Sequence, residues 1–241
     1  MSDLAGNAVT GSTPPTTGSF TADTAVPTLD LNTLSAGSAN SGTAINGALQ
    51  FNGNNGAQAA GTVTLANQLT LEMWFNYSAL TGNWNRMLDI NNVNTGYDRS
   101  INVTRHLTSN QLNLSMFGLD WTFGSSNEIA LNTWKHLAIT GDGTNLIAYI
   151  NGEEVARTAW GARPSNTRTF DQVAIGAYLN GISANANMTG QLADVRIYNS
   201  ARTQEQIVKD MQGVLDSTDA SLLVQYGFNN ATGFALSLIH I

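Results

Sequence analysis

The sequence predicts an all-β protein: a two-sheet antiparallel β-sandwich with one short helix near its C-terminal end. Three features carry that reading. Residues 68–77 place Leu69, Leu71, Met73, Phe75 and Tyr77 on one face and Thr70, Glu72, Trp74 and Asn76 on the other. That period of two marks a strand with one face in a core. Residues 134–156 read as strand, Gly141-Asp142-Gly143 turn, strand, Asn151-Gly152 hairpin, strand. A two-residue type I′ turn needs positive φ at both central positions, which Asn followed by Gly adopts at low cost. Short apolar runs between Gly- and Asn-rich turns continue from residue 29 to about residue 214, and only one segment carries helix signals. Such a pattern packs best as two stacked sheets.

In chain order, residues 1–28 hold three of the four prolines, Pro14, Pro15 and Pro27, among Thr, Ser and Gly. Residues 3–7 (Asp-Leu-Ala-Gly-Asn) and 20–27 resemble the last strands and exit linker of a bacterial Ig-like repeat; the alternative is a disordered Thr/Pro/Gly leader. Strands are expected at 48–51, 61–65, 68–77, 86–91, 100–105, 112–116, 121–123, 134–140, 145–151, 153–158, 172–177 and 190–198. The helix is expected at 203–212. Thr203 is its N-cap, Gln206 completes a capping box, Glu205 and Lys209 form an i,i+4 pair, and Gly213 stops it. Residues 215–236 read either as the start of a second sandwich repeat or as a closing strand of the first. Residues 237–241 resemble translated sequencing adaptor and are expected to carry no function.

The block 134–156, followed by 190–199 (Gly-Gln-Leu-Ala-Asp-Val-Arg-Ile-Tyr-Asn) and a capped helix, resembles the laminin-G-like jelly roll of the concanavalin A-type lectin and glucanase superfamily. The resemblance covers about 29–214 and implies a concanavalin A-like sandwich. It also implies a structural calcium, held by Asp194 with Asn52 and Gly53 after Phe51 and with Asn32 near the first strand. Calcium takes six to eight oxygen ligands, so an Asn-rich shell is chemically acceptable. The setting it implies is a secreted or surface-attached bacterial adhesin, extracellular and flanked by neighbouring repeats of the same chain.

Composition narrows the function. Only 11% of residues are charged, the net charge is −7, and Lys occurs only at 135 and 209. So few cations argue against nucleic-acid partners and anionic membranes, which need a positive patch. With no cysteine, disulfides, thiolate metal sites and a Cys nucleophile are excluded. No signal peptide or membrane-spanning run is visible. Glucanases of the resembled superfamily carry paired carboxylates two residues apart on one strand, and no Glu here has an Asp two residues on. The chain is therefore expected to be a non-enzyme, although folding could still join Glu72 to Asp89 or Asp120 as a hydrolytic pair. His136 is expected as a packed or surface histidine.

Carbohydrate recognition needs an aromatic platform beside amide and carboxylate groups. The segments 81–86, 94–99, 118–123 and 159–163 supply both, and nominate Trp84, Tyr97, Asp98, Arg99, Asp120, Trp121 and Trp160 as ligand-binding residues. Trp74 and Trp134 lie in regular strands and are expected in the core. The functional expectation is a non-catalytic module that binds a glycan or an extracellular-matrix surface, supported by calcium. A passive spacer in a large adhesin is the alternative, and a glycoside hydrolase of the same fold a further one.

Overall fold

The computed structural model describes residues 43–45, 47–54, 56–92, 100–161, 167–178, 186–213 and 218–227. The Ig-like reading of residues 1–28, the candidates Asn32, Tyr97, Asp98 and Arg99, and residues 237–241 lie outside them.

Two antiparallel sheets face each other. Across the larger run β1 (Thr43–Ile45), β2 (Ala48–Asn52), β13 (Thr189–Tyr198), β4 (Leu69–Ala79), β9 (Lys135–Gly141), β10 (Asn145–Ile150) and β11 (Glu153–Ala159); its eighth strand, β14 (Leu222–Tyr226), also pairs with β13. The smaller sheet has six strands in the order β3 (Ala57–Leu65), β12 (Arg168–Ile175), β5 (Arg86–Asn91), β6 (Ile101–Arg105), β7 (Leu112–Met116) and β8 (Leu119–Phe123). The expected alternation in β4 is realised: Leu69, Leu71, Met73, Phe75 and Tyr77 are all buried in one core with Leu88, Ile90, Val103, Leu114 and Val173 of the opposite sheet. The Asn151-Gly152 turn joins β10 to β11 with both residues at positive φ, 52° and 83°.

Strand β13 is the organising element. On one side it pairs with β4 along its length; on the other, β2 takes residues 189–192 and β14 takes 195–198. Between the two stands a bulge: Ala193 opposes Trp74 and Arg196 opposes Glu72, so β13 carries one extra residue, and Asp194 sits at φ 46°. An Asp tolerates that left-handed conformation better than most residues. The extra residue resets the alternation, so Leu192, Val195 and Ile197 all reach the core while Arg196 stays on the outer face.

Helix α1 (Gln204–Met211) lies against that outer face. Its capping box is complete, with Thr203 and Gln206 bonding each other's backbone, and Glu205 accepts from Lys209 Nζ at 3.0 Å. Ile207 packs on Ala138 and Tyr149, a burial that contributes about 2 kcal/mol. The Asn151-Gly152 turn tucks beneath the helix, since a Cβ on Gly152 would stand 2.8 Å from Val208 Cγ2.

Several expectations need correction. Trp134 precedes β9 and is 38% exposed, not in the core. Strand β3 begins at Ala57 rather than residue 61, and β12 at Arg168 rather than 172. Both are β-bulge or early-start effects at positions where Ala, Gly and Asp hide the alternation.

Candidate functional site

The outward side of β5–β8 in the six-stranded sheet is lined with polar side chains, most of them buried. Wherever Leu88, Ile90, Ile101, Val103, Leu112 and Leu114 turn inward, Asp89, Asn91, Asn102, Thr104, Asn113 and Ser115 must turn outward. Register aligns them in rows: Asp89, Asn102, Ser115 and Asp120 lie opposite one another across β5–β8, and Arg86, Thr104, Asn113 and Thr122 form the next row.

Hydrogen bonds hold these side chains in place. Arg86 Nε donates to Asn102 Oδ1 (3.2 Å), and Asn102 Nδ2 donates to Ser100 Oγ (2.6 Å). Thr122 donates to Asn113 Oδ1 (3.1 Å), Asn113 Nδ2 to Ser115 Oγ (3.0 Å), and Ser115 to the Asp120 carboxylate. Arg86 also pairs with Asp89 at 3.5 Å and lies over the Tyr178 ring at 4.3 Å. The buried Thr104 hydroxyl, in the middle of its row, makes no hydrogen bond. Most of the face is close-packed, and Asp120 is its exposed end.

At the β5 end stands a rim made by two loops. Trp84 meets His106 edge-on, centroids 5.1 Å apart, and Leu107 beside it is 41% exposed. Trp84 and Leu107 adopt φ 56° and 47°, and bulky residues in that region cost about 1 kcal/mol or more each, strain that tends to gather at functional sites. Arg105, buried beneath, keeps both loops in register. Its Nε donates to the Ser109 carbonyl (2.7 Å), and its Nη1 to the Gly82 carbonyl and Asn85 Oδ1 (both 3.1 Å). Asn85 in turn donates to the Thr81 and Asn187 carbonyls, and the Tyr77 hydroxyl donates to the Asn85 carbonyl.

Of the described ligand candidates, Trp84 and Asp120 belong to this surface, one at the rim and one at the far strand. The other two do not. Trp121 lies on the opposite side of β8, half-buried against the core and tilted on Phe123 at 4.8 Å. Trp160 is 2% exposed, its ring filling the space a Cβ on Gly141 would need, so it has no face to offer a ligand. Sequence reasoning passed over Arg86, Asn102, Thr104, Asn113 and Ser115. For the residues of β6 and β7 a signal was present, because the positions alternating with the core residues hold amides and hydroxyls, which suit a buried hydrogen-bonded layer, where a solvated strand usually carries Lys or Glu.

Of the expected calcium ligands, Asn52, Gly53 and Asp194 are described and Asn32 is not. Asn52 pairs with Thr189, five residues along β13 from Asp194, which separates them by roughly 15 Å. Both Asp194 oxygens are taken by Arg196, at 2.9 and 2.6 Å, and Gln225 Nε2 donates to one of them at 3.0 Å. Asn52 Oδ1 accepts from the Asn54 backbone instead. Among the described residues no group of three His, Cys, Asp or Glu is arranged to hold a metal. The hydrolytic pairs fare no better. Glu72 sits on the outer face of the opposite sheet, with the whole core between it and Asp89 or Asp120, while Asp89 and Asp120 are three strands apart, about 14 Å between Cα atoms. Among the described residues no helix is long and apolar enough to cross a membrane.

Fold and sequence together place the chain in the concanavalin A-like lectin/glucanases superfamily: a laminin G family model matches residues 51–208, so the chain belongs to that family. No curated protein matches it. Among solved structures it is similar to a protein of Bacteroides ovatus proposed to bind carbohydrate, at 20% identity and TM-score 0.57, covering 75% of this chain and 51% of that one. It thus spans about half of the Bacteroides protein. It is also similar to a heptameric pentraxin of Limulus polyphemus (16% identity, TM-score 0.51, 63% of this chain and 73% of that one). A third likeness is to domain 4 of an extracellular arabinanase of Geobacillus stearothermophilus, solved with arabinotriose (18%, TM-score 0.50, 67% of this chain and 75% of that one). At these identities the likeness establishes the fold.

Proposed function

We propose that this domain is a non-catalytic glycan-binding module of a secreted or surface-attached bacterial protein, and that its ligand lies on the outer face of the six-stranded sheet. The observation that carries this reading is the half-exposed Trp84 rim and the exposed Asp120 at the two ends of a buried, hydrogen-bonded polar layer across β5–β8 that holds its strands in register. Sugars are recognised by such bidentate polar groups together with an aromatic ring for their apolar face. The arabinotriose bound to the Geobacillus domain supports an oligosaccharide as the ligand class.

The test is binding of the full chain to a broad glycan array, in calcium and again in chelator. Hits that vanish on Trp84→Ala and on Asp120→Ala, but persist with Trp121→Ala, support the reading. Silence from protein shown to be folded would overturn it in favour of a spacer. Hits abolished by chelator would reinstate a calcium-bridged ligand away from this face.

A further inference from the structure

A second cluster of polar side chains lies on the other side of the molecule, between the outer face of the eight-stranded sheet and α1. Glu72 projects into it from β4, His136 from β9, and Asp194, Arg196 and Tyr198 from β13. Arg202 enters from the segment after β13, Asp210 from α1 and Asp219 from the turn before β14. In a chain so sparsely charged, four carboxylates share two guanidiniums here.

Arg202 is the hub. It forms ion pairs with Asp210 and with Asp219, and its guanidinium lies 4.2 Å over the Tyr198 ring. One side chain therefore ties the sheet, the helix and the closing strand together. Arg196 adds a 3.4 Å contact to Asp210. Glu72 is the member left over. It is 1% exposed, its oxygens stand 3.7 Å from His136 Nε2 and 3.9 Å from Arg202 Nε, and neither oxygen makes a hydrogen bond. His136 cannot balance it, because burial pushes the imidazole down to about 4 and leaves it neutral near pH 7. Burial also pushes the Glu72 carboxyl well above the usual carboxylate range, Asp210 adds to that shift, and Arg196 and Arg202 oppose it.

We infer that Glu72, buried without a hydrogen bond beside a guanidinium already held by Asp210 and Asp219, is packed as its neutral acid, and that its proton is the latch keeping α1 and β14 on the sheet. With Glu72 neutral, Arg202 is free to serve Asp210 and Asp219. When the proton passes to bulk water, a second fully buried carboxylate competes with Asp210 for the same guanidinium, and the helix and closing strand lose their shared anchor. The device is separate from the polar face and does not depend on the function proposed for it.

Two readings of the full chain test this. Infrared difference spectra taken as pH is raised from the ordinary carboxyl range to the alkaline limit of the folded state should show the carbonyl stretch of a protonated carboxylic acid disappearing, and Glu72→Gln should lack that change. Hydrogen exchange, corrected for intrinsic rates, should show opening of residues 204–211 and 222–226 rising by up to roughly tenfold per pH unit between the ordinary carboxyl range and the raised Glu72 titration, and levelling off above it, with β6 and β7 unaffected. In Glu72→Gln the two segments should stay closed across the range. Absence of the carboxylic-acid band in the wild type overturns the inference even if the variant fails to fold. So does equal pH dependence of opening in wild type and Glu72→Gln.

Discussion

Replacing Arg105 by Met should disorder the aromatic rim while leaving the sandwich intact. The side chain is buried and makes three hydrogen bonds to two loops that no strand ladder holds. Methionine fills similar volume but donates nothing. The Asn85 Oδ1 acceptor is fully buried, and the Gly82 and Ser109 carbonyls are partly so. An unsatisfied buried acceptor costs about 1–3 kcal/mol; with solvent reaching two of the three, about 2–4 kcal/mol is the expected sum. Most of it should appear locally, because the Trp84 and Leu107 backbones already store strain that relaxes once the clamp is gone. Hydrogen exchange should show loops 81–85 and 106–110 opening at least tenfold more often, with the Ile101–Arg105 ladder protected. Glycan affinity should fall in proportion to the fraction of molecules whose rim remains formed. Arg105→Lys should recover part of the loss, since one ammonium cannot reach three acceptors as a guanidinium fork does. Unchanged exchange in both loops would refute the reasoning.

Three further outcomes are expected. Arg202→Met should destabilise the domain by about 3–5 kcal/mol through the carboxylates it leaves without their partner, or roughly 6–20 °C in melting temperature at about 2–4 °C per kcal/mol. The double variant with Asp210→Asn should cost much less than the sum, and an additive result in urea titrations would show that the pair is not coupled. For His136, whose folded value lies near 4 against 6.5 when unfolded, the stability held above pH 6.5 is lost as pH falls toward 4. Relative to His136→Gln, the wild type should therefore lose about 3 kcal/mol between pH 7 and pH 4, measured as the difference so that the opposite trend from Glu72 cancels. Gly141→Ala should cost about 1–3 kcal/mol by overpacking, because the new methyl would stand 2.1 Å from the Trp160 ring; a neutral melting curve would show that the ring moves freely.

Much of the fold was legible because it depends on local rules. Thr203 with Gln206 gave the helix start, Asn151-Gly152 the hairpin, and the period of two in residues 69–77 the buried face of β4. The interval of three between Leu192 and Val195 is the trace of the bulge in the sequence, since no regular strand sends both inward. The site was less legible. Aromaticity drew attention to Trp121 and Trp160, but which side of β8 a ring takes depends on pairing with Leu114, and Trp160 is buried by a close approach to Gly141 that no sequence pattern encodes. The polar rows exist only when β5, β6, β7 and β8 lie side by side. Sequence shows each strand's polar side but not their alignment.

The division of one edge of β13 between β2 and β14 has a mechanical meaning. Both run antiparallel to β13, so Leu49 and Tyr226 come to opposite sides of the bulge, at Leu192 and Val195. A pull on the N-terminal flank would enter at Thr43 of the edge strand β1 and reach β13 through β2, whereas a pull beyond Tyr226 would leave at Val195, beside the bulge. Tension would then pass across a few backbone hydrogen bonds and the Asp194–Arg196 clasp, while β5–β8, on the opposite sheet, would lie outside the load path and keep their shape under strain.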